Sequence, residues 1–486
     1  MPPMLPAHFL QLLGEMGLSR WGAWYSCRQG VNMEVDMGNV ENASAAMRTT
    51  KTVKSLPMPK VWAFAVGQFG WALLSGIISN WLVYFYQPDS ETISQGQTVF
   101  VPQGLAVLGV VTVVGGITAF ARFFDAFVDP AVASLSDRCT SKSGRRMPFL
   151  KFAALPLALV TVLVFWSPIN DTSWINGAFL FATVIGYYIA LTFYCTPYNA
   201  LIAELGHDSK QQLTISTAIS FTWVAGTAIA YVAPVIWAGF VPGLGRVNAI
   251  RLTFTIMAAI AFVCMLVPPL TIKERDYVNS QPTSESTIES LKQTFGEFRK
   301  FVCSDVVYWV AITTFQTGLP FFVTSLLKLP ETTTTIYFVL MTAVSVLFYM
   351  PVNVLANRVG KKRILLVAFV IFTCAFAFAG ALGSGLLAAI PPMAQGLILS
   401  IVGAIPMAAF GILPQAIVAN IADASSKTTG QDRQGMFYAA RTFAMKMGQS
   451  VAMLLFTGVS TIGMASGAGY RIAAVCAAVL CGIGGV

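Results

Sequence analysis

Long apolar stretches separated by short polar loops make up most of the chain after residue 57. Each stretch has about the 20 residues that a helix needs to cross a bilayer. The pattern predicts an all-α membrane protein with twelve transmembrane helices in two six-helix bundles. The predicted spans lie near residues 60–86, 104–134, 149–167, 174–204, 211–238, 250–270, 302–326, 333–356, 363–385, 391–421, 436–459 and 468–486.

The first residues differ from the rest of the chain. Residues 1–57 contain no basic region followed by a signal-peptide core, and they are predicted to form a flexible cytoplasmic extension. The alternative is an artefact of the start site, with translation beginning at Met47 or Met58. At the other end, the last span reaches Val486 without a polar tail, which fits a truncated C-terminus.

The longest polar interval divides the spans into two groups. Residues 58–270 are predicted to form the N-terminal bundle and residues 302–486 the C-terminal bundle, with a cytoplasmic loop at 271–301 between them. Apolar residues recur at helical spacing from Ile288 to Phe301, as in an interfacial helix. A calmodulin-target helix has the same pattern and is the less favoured interpretation.

The composition excludes a soluble protein. Hydrophobic residues make up 56% of the chain and charged residues 10%, whereas soluble domains carry about 25% charged residues. The net charge of +9 comes from lysines and arginines in short loops, which favours a role in topology over nucleic acid binding. We expect a lipid bilayer as partner, and no nucleic acid.

The basic residues predict the orientation as well. Loops on one side carry clusters such as those at 138–151 and 358–363, whereas the opposite loops have only Arg246, Arg251, Lys328 and Arg471. By the positive-inside rule both termini lie in the cytoplasm, and the chain is a multi-pass protein of the cell membrane. The eight cysteines show no metal or redox spacing, so we expect no cofactor.

The two halves share a loop pattern. SDRCTSKSGRRMPFL follows the second span, and ANRVGKKRILL follows the eighth, at the equivalent place in the second half. A duplication of six spans explains the repeat and predicts two bundles that rock about a central site.

Three charged residues interrupt the second predicted span. Arg122, Asp125 and Asp129 are spaced by three and four residues and form one polar stripe on a helix. Charge inside a bilayer is costly, so such residues usually face a protein-lined cavity. Two adjacent carboxylates are not both stable as anions unless a cation lies between them or one is protonated. The stripe therefore predicts a site for a small cation or a proton; a structural ion pair with Arg122 or Lys446 is the alternative.

Three signatures then occur in order along the chain. They are RFFDAFVDP with its basic loop, YYIALTFYCTPYNALIAEL in span four, and TTGQDRQGMFYAARTFAMKMGQS, which runs into span eleven. Together they resemble the major facilitator superfamily and, within it, the glycoside–pentoside–hexuronide:cation symporter family. The resemblance covers about residues 61–486 and implies the major facilitator fold.

The resemblance also implies roles for individual residues. It implies a cation site formed by Asp125, Asp129 and Thr192, with Na⁺ or H⁺ as the coupling ion and no other metal. It assigns a functional membrane lysine at Lys446 and gives Arg122 a role in charge pairing or solute contact. In span four, Tyr198 and Asn199 are candidates to line the cavity. The loop residues that match the family pattern fix topology and form a cytoplasmic gate: Asp137, Arg138, Gly144, Arg145 and Arg146.

The chain departs from the family pattern at the solute site. Ala72 and Cys195 stand where melibiose-type relatives carry sugar-binding carboxylates. The leading hypothesis is a monomeric secondary transporter that moves a small organic solute, a sugar or glycoside, with a cation by alternating access. A transporter of an amphipathic solute such as a lysolipid is the alternative. A non-transporting membrane sensor or an enzyme is disfavoured, because the sequence has no P-loop and no nucleophile–histidine pair.

Overall fold

The computed structural model describes residues 55–484 apart from 108–110, 140, 142, 207–208, 279–286, 430–433 and 464–465. The prediction for the N-terminal extension therefore lies almost wholly outside the described residues. The described chain contains twelve long helices in the predicted order. They are α1 (Met58–Tyr86), α2 (Val113–Asp137), α3 (Met147–Val164), α4 (Trp174–Leu205), α5 (Ser209–Leu244), α6 (Arg246–Thr271), α7 (Thr287–Phe321), α8 (Thr332–Val359), α9 (Lys361–Ala381), α10 (Pro392–Thr429), α11 (Gln434–Ser460) and α12 (Ala468–Gly484).

Nine of these helices, counted over the described residues, are long and apolar enough to cross a membrane. The other three are α2, α11 and α12. The α12 helix is short, with 17 residues, and α2 and α11 contain the charged residues of the three signatures. Large apolar side chains such as Leu270, Leu347 and Met350 are 66–77% exposed, as expected of helices that face lipid rather than water.

The predicted start of the second span was wrong. It was expected near residue 104, but α2 begins at Val113, where the Thr112 hydroxyl accepts a hydrogen bond from the Gly115 amide. The preceding stretch contains a short bridge between Val107 and Val111, because β-branched residues favour extended backbone. Hydropathy alone does not distinguish an apolar helix from an apolar extended segment.

The segment predicted as a separate interfacial helix is part of α7. That helix runs from Thr287 to Phe321, and its one proline is Pro320, near its end. The helical apolar spacing from Ile288 to Phe301 therefore continues into the seventh span without a break. A π-helical turn, Phe322–Leu326, extends α7 further.

Helix packing places the site between the two halves. Within the first half α1 packs on α5 and α6, and within the second half α7 packs on α11 and α12. Among the described residues, the most extensive contacts between long helices of the two halves pair α2 with α11, α5 with α8, and α1 with α7. The charged helices α2 and α11 thus meet each other at the interface between the halves.

Candidate functional site

The site is built around a lysine that reaches two aspartates across the interface between the halves. Nζ of Lys446 on α11 lies 2.8 Å from Oδ2 of Asp125 and 2.6 Å from Oδ2 of Asp129. It also donates to the backbone carbonyl of Asp125 at 3.3 Å. Because the two aspartates are one helical turn apart on α2, a single ammonium group reaches both.

Two of these three charges are withdrawn from solvent. Asp125 is 2% exposed and Lys446 7% exposed. Ser450, one turn beyond the lysine, donates to the Ala119 carbonyl at 2.8 Å and holds α11 close to α2. Charges buried in this way are stable only when they are paired and hydrogen-bonded, so the position of Lys446 depends on the two carboxylates.

Two threonines of α4 complete the cluster. The Thr192 hydroxyl donates to Oδ1 of Asp125, and the Thr196 hydroxyl donates to Oδ1 of Asp129 at 3.2 Å. Thr192 was predicted from the family resemblance, whereas Thr196 was missed. Its signal was the spacing of four residues between the threonines, which equals the spacing between the aspartates.

The cluster has the charge and the ligand atoms for a small cation. Two carboxylates and one ammonium leave one negative charge in excess. The carboxylate and hydroxyl oxygens of the four residues on α2 and α4 are hard donors, the kind that alkali ions and protons prefer. A cation that entered here would compete with the ammonium of Lys446 for the same carboxylates.

Arg122 does not pair with the acids of its own helix. Its guanidinium group lies 4.7 Å from the ring centroid of Tyr188 and donates to the Ser79 hydroxyl at 3.4 Å, while both α2 carboxylates bind Lys446. Charge pairing, one of the two roles predicted for Arg122, is therefore not seen with Asp125 or Asp129.

Tyr198 and Asn199, the span-four residues predicted to line the cavity, differ in exposure. Tyr198 is fully buried, donates to the Phe64 carbonyl at 2.7 Å and stacks on the Phe64 ring. It packs α4 against α1 and does not line a cavity, because no part of its side chain is open to solvent. Asn199 is exposed.

The basic loop after α2 is held by an ion cluster. Glu204, at the end of α4, accepts from Arg145 at 2.5 Å and from Arg146 at 2.7 Å, and Arg146 also pairs with Asp137 at 2.8 Å. Arg138 ends α2 and is exposed. Glu204 and Asp137 belong to the first half, so these ion pairs hold the predicted gate loop against α2 and α4.

The side chain of Glu274 holds the same loop by binding backbone amides of the loop. Its carboxylate accepts from the amides of Arg145, Arg146 and Met147 at 2.8–2.9 Å. Gly144 has φ +116° and lies directly against Glu274, so the loop needs glycine here both for its backbone conformation and for the close approach. Glu204 and Glu274 were not predicted from the sequence, because both are distant along the chain from the loop that they bind.

Comparison with known proteins gives a family match over most of the chain. Residues 63–482 match the model of the MFS/sugar transport protein family. The chain is 28% identical over 227 residues to the inner membrane symporter YicJ of Escherichia coli, covering 45% of this chain and 47% of that protein. It is 23% identical over 266 residues to the isoprimeverose transporter of Lactiplantibacillus pentosus, covering 53% and 51%. The chain thus spans about half the length of these curated relatives.

Solved structures show the same fold at low sequence identity. The nucleoside transporter NupG, in a point-mutant form, superposes with a TM-score of 0.62 and 13% identity, covering 88% of this chain and 97% of that one. Identity this low is evidence for the fold alone. The predicted fold class, a major facilitator fold of helices in two bundles, is confirmed.

Proposed function

The chain belongs to the family of MFS/sugar transport proteins, and from that premise we propose that it carries a sugar or glycoside across the cell membrane together with Na⁺ or H⁺. Relatives named as symporters and as an isoprimeverose transporter support a cation-coupled sugar substrate. The proposal includes both termini in the cytoplasm and a monomer as the working unit.

One observation carries the coupling part of the proposal. Lys446 belongs to the second half, and the two carboxylates that it binds belong to the first half. A cation bound between Asp125 and Asp129 would neutralise the excess negative charge and weaken the hold of both carboxylates on the ammonium. Cation binding would therefore loosen a contact that ties the halves together.

The solute takes part in coupling if it binds the two conformations of the transporter with different affinity. A ligand shifts a conformational equilibrium only if it binds the two states with different affinity. The cation supplies such a difference when it displaces Lys446, and a solute bound in the cavity between the halves supplies a second one. Where a positive charge crosses with the solute, the membrane potential adds about 2.3 kcal/mol per 100 mV.

Uptake into proteoliposomes tests the proposal. Purified protein is reconstituted, a Na⁺ gradient or a pH gradient is imposed separately, and accumulation of radiolabelled glycosides is measured. Only one of the two gradients should drive uptake, and Asp125→Asn and Asp129→Asn should each reduce gradient-driven uptake to background.

Arg441→Gln serves as the matched control for these variants, because this second cation of α11 pairs with Asp305 at 3.4 Å and not with α2. Accumulation that persists in both aspartate variants would refute cation coupling at this site. Absence of uptake for every glycoside under either gradient would refute the sugar substrate.

A further inference from the structure

At the end of the bundle opposite the Arg145 and Arg146 loop, here called the outer end, one carboxylate joins the two halves. Glu331 lies immediately before α8, in the second half, and its side chain is 10% exposed. It accepts hydrogen bonds from Tyr84 of α1 at 3.0 Å and from Trp237 of α5 at 2.5 Å. It also forms an ion pair with Arg246, the first residue of α6, at 2.6 Å.

All of these donors come from the first half. Arg246 binds Glu331 through both terminal nitrogens, at 3.1 and 2.6 Å, and its own side chain is 5% exposed. A two-point guanidinium–carboxylate contact is strong and fixes the relative orientation of its partners. Three helices of one bundle are thus attached to a single residue of the other.

A second contact reinforces the same end. Asp89, in the turn after α1, is 1% exposed, and its Oδ2 accepts from the hydroxyls of Thr324, at 2.8 Å, and Ser325. Those two residues lie in the π-helical turn that follows α7. π-helical turns are rare and are frequent at functional sites. Nearby, Gln87 donates to the Thr457 carbonyl and the Ser460 hydroxyl of α11 at 3.0 and 2.9 Å.

The chemistry of these contacts suits a seal that opens repeatedly. An apolar seal would expose hydrophobic surface to water on opening, at a cost of about 25 cal/mol per Å². Charged and hydroxyl groups instead exchange protein partners for water, which recovers part of the free energy lost when they separate. Glu331 and its donors therefore hold the closed state without making the open state inaccessible.

We propose that Glu331 is the positioning residue of an outer latch, which ties α1, α5 and α6 to α8 and must release before the solute site opens to the outer side. The inference rests on the proposed function, because only a transporter needs this end to open. The latch acts separately from the Lys446 cluster: it controls which end of the bundle is closed, not what the site binds.

Hydrogen–deuterium exchange of the full-length protein, without added solute and with the cation concentration held constant, tests the latch. Glu331→Gln keeps the shape of the side chain and removes its charge. In this variant, peptides covering residues 83–97 and 320–335 should exchange roughly tenfold faster, the effect of losing a charge-assisted hydrogen bond. Peptides covering 136–147 should exchange more slowly, because rocking that opens the outer end closes the opposite end.

The opposite signs at the two ends distinguish a latch from a purely structural role. A general loss of stability would increase exchange at both ends, and that result would overturn the proposal, as would unchanged exchange at the outer end. Asp171→Asn is the matched control: Asp171 lies in the exposed turn between α3 and α4 at the same end, and its carboxylate accepts from the amide of the next residue, Thr172. It should leave both regions unchanged.

Two milder variants keep the test decisive if Glu331→Gln does not fold. Tyr84→Phe and Trp237→Phe each remove one donor to Glu331 and should shift exchange in the same opposite directions, by a smaller factor. Wild-type exchange in both would refute the latch. Since these measurements need no transported solute, failure of the latch is separate from failure of glycoside uptake.

Discussion

Nζ of Lys446 lies 2.6 Å from Oδ2 of Asp129, so a lysine from the second half of the chain lies where, under the proposed function, a coupling cation would bind the first half. The same ammonium is 2.8 Å from Asp125. Both carboxylates are therefore paired with one ammonium group, and the contact joins the two bundles. Under the proposed function, a cation and Lys446 would compete for this one pair of carboxylates.

The Thr192 hydroxyl is expected to set cation affinity. Thr192→Val removes an oxygen that binds Asp125 and should weaken cation binding by tenfold or more, since a hydrogen bond to a charged group contributes about 1.5–3 kcal/mol. Thr192→Ser keeps the hydroxyl and should bind nearly as the wild type. Isothermal titration with Na⁺ at fixed pH, or with protons through a pH indicator, measures the affinity. Equal affinity in the valine and serine variants would exclude a role for this oxygen.

Thr196 offers a graded comparison. Its hydroxyl donates to Asp129 at 3.2 Å, and the Asp129 side chain is 25% exposed, so water can replace the lost hydrogen bond. Thr196→Val should therefore weaken cation binding less than Thr192→Val in the same titration. A larger loss at Thr196 would place the centre of the cation site nearer Asp129.

Gly144 is expected to be more sensitive to alanine than its counterpart in the second half. Gly144 and Gly360 have φ of +116° and +104°, so alanine strains the backbone at both, by about 1–2 kcal/mol. Only at Gly144 would the added methyl group also meet another residue, 2.6 Å from Cβ of Glu274. Thermal unfolding in detergent should show a lower Tm for Gly144→Ala than for Gly360→Ala. Equal Tm values would mean that Glu274 moves aside freely.

Glu204 is expected to stabilise the loop that connects α2 and α3. Glu204→Gln removes the charge that binds Arg145 and Arg146 and should destabilise the protein by about 1–3 kcal/mol. The loss should not be larger, because Arg146 keeps its ion pair with Asp137. The Tm should fall relative to both wild type and Asp171→Asn. A wild-type Tm would show that this ion cluster contributes little to stability.

Two kinds of signal in the sequence predicted parts of the site. The stripe of Asp125 and Asp129 follows from helical periodicity, and Lys446 and Thr192 follow from the family resemblance. Glu331 and Arg246 form one close pair although 85 residues separate them; Arg246 was predicted only to lie in a loop, and no role was predicted for Glu331. Contacts that depend on the packing of two bundles leave no periodic signal in either segment.

The start of α2 was predicted wrongly for a different physical reason. The valine-rich stretch before Val113 has the hydropathy of a span, but hydropathy measures transfer out of water and not backbone preference. The start of α2 depends instead on the Thr112 cap, a single polar residue within an apolar run. Only local capping chemistry distinguishes a helix that begins near residue 104 from one that begins at Val113.

Cation binding to Lys446→Gln tests the central claim most directly. If the coupling cation must displace the ammonium group, removing that group should tighten cation binding by about tenfold or more. The two carboxylates would then be free to bind the cation, and no ion pair with Lys446 would have to be broken first. Arg441→Gln, which alters a cation on the same helix paired to Asp305, should bind the cation as the wild type does. Loss of cation binding in Lys446→Gln would contradict the account, because it would show that the lysine supports the site and does not compete for it.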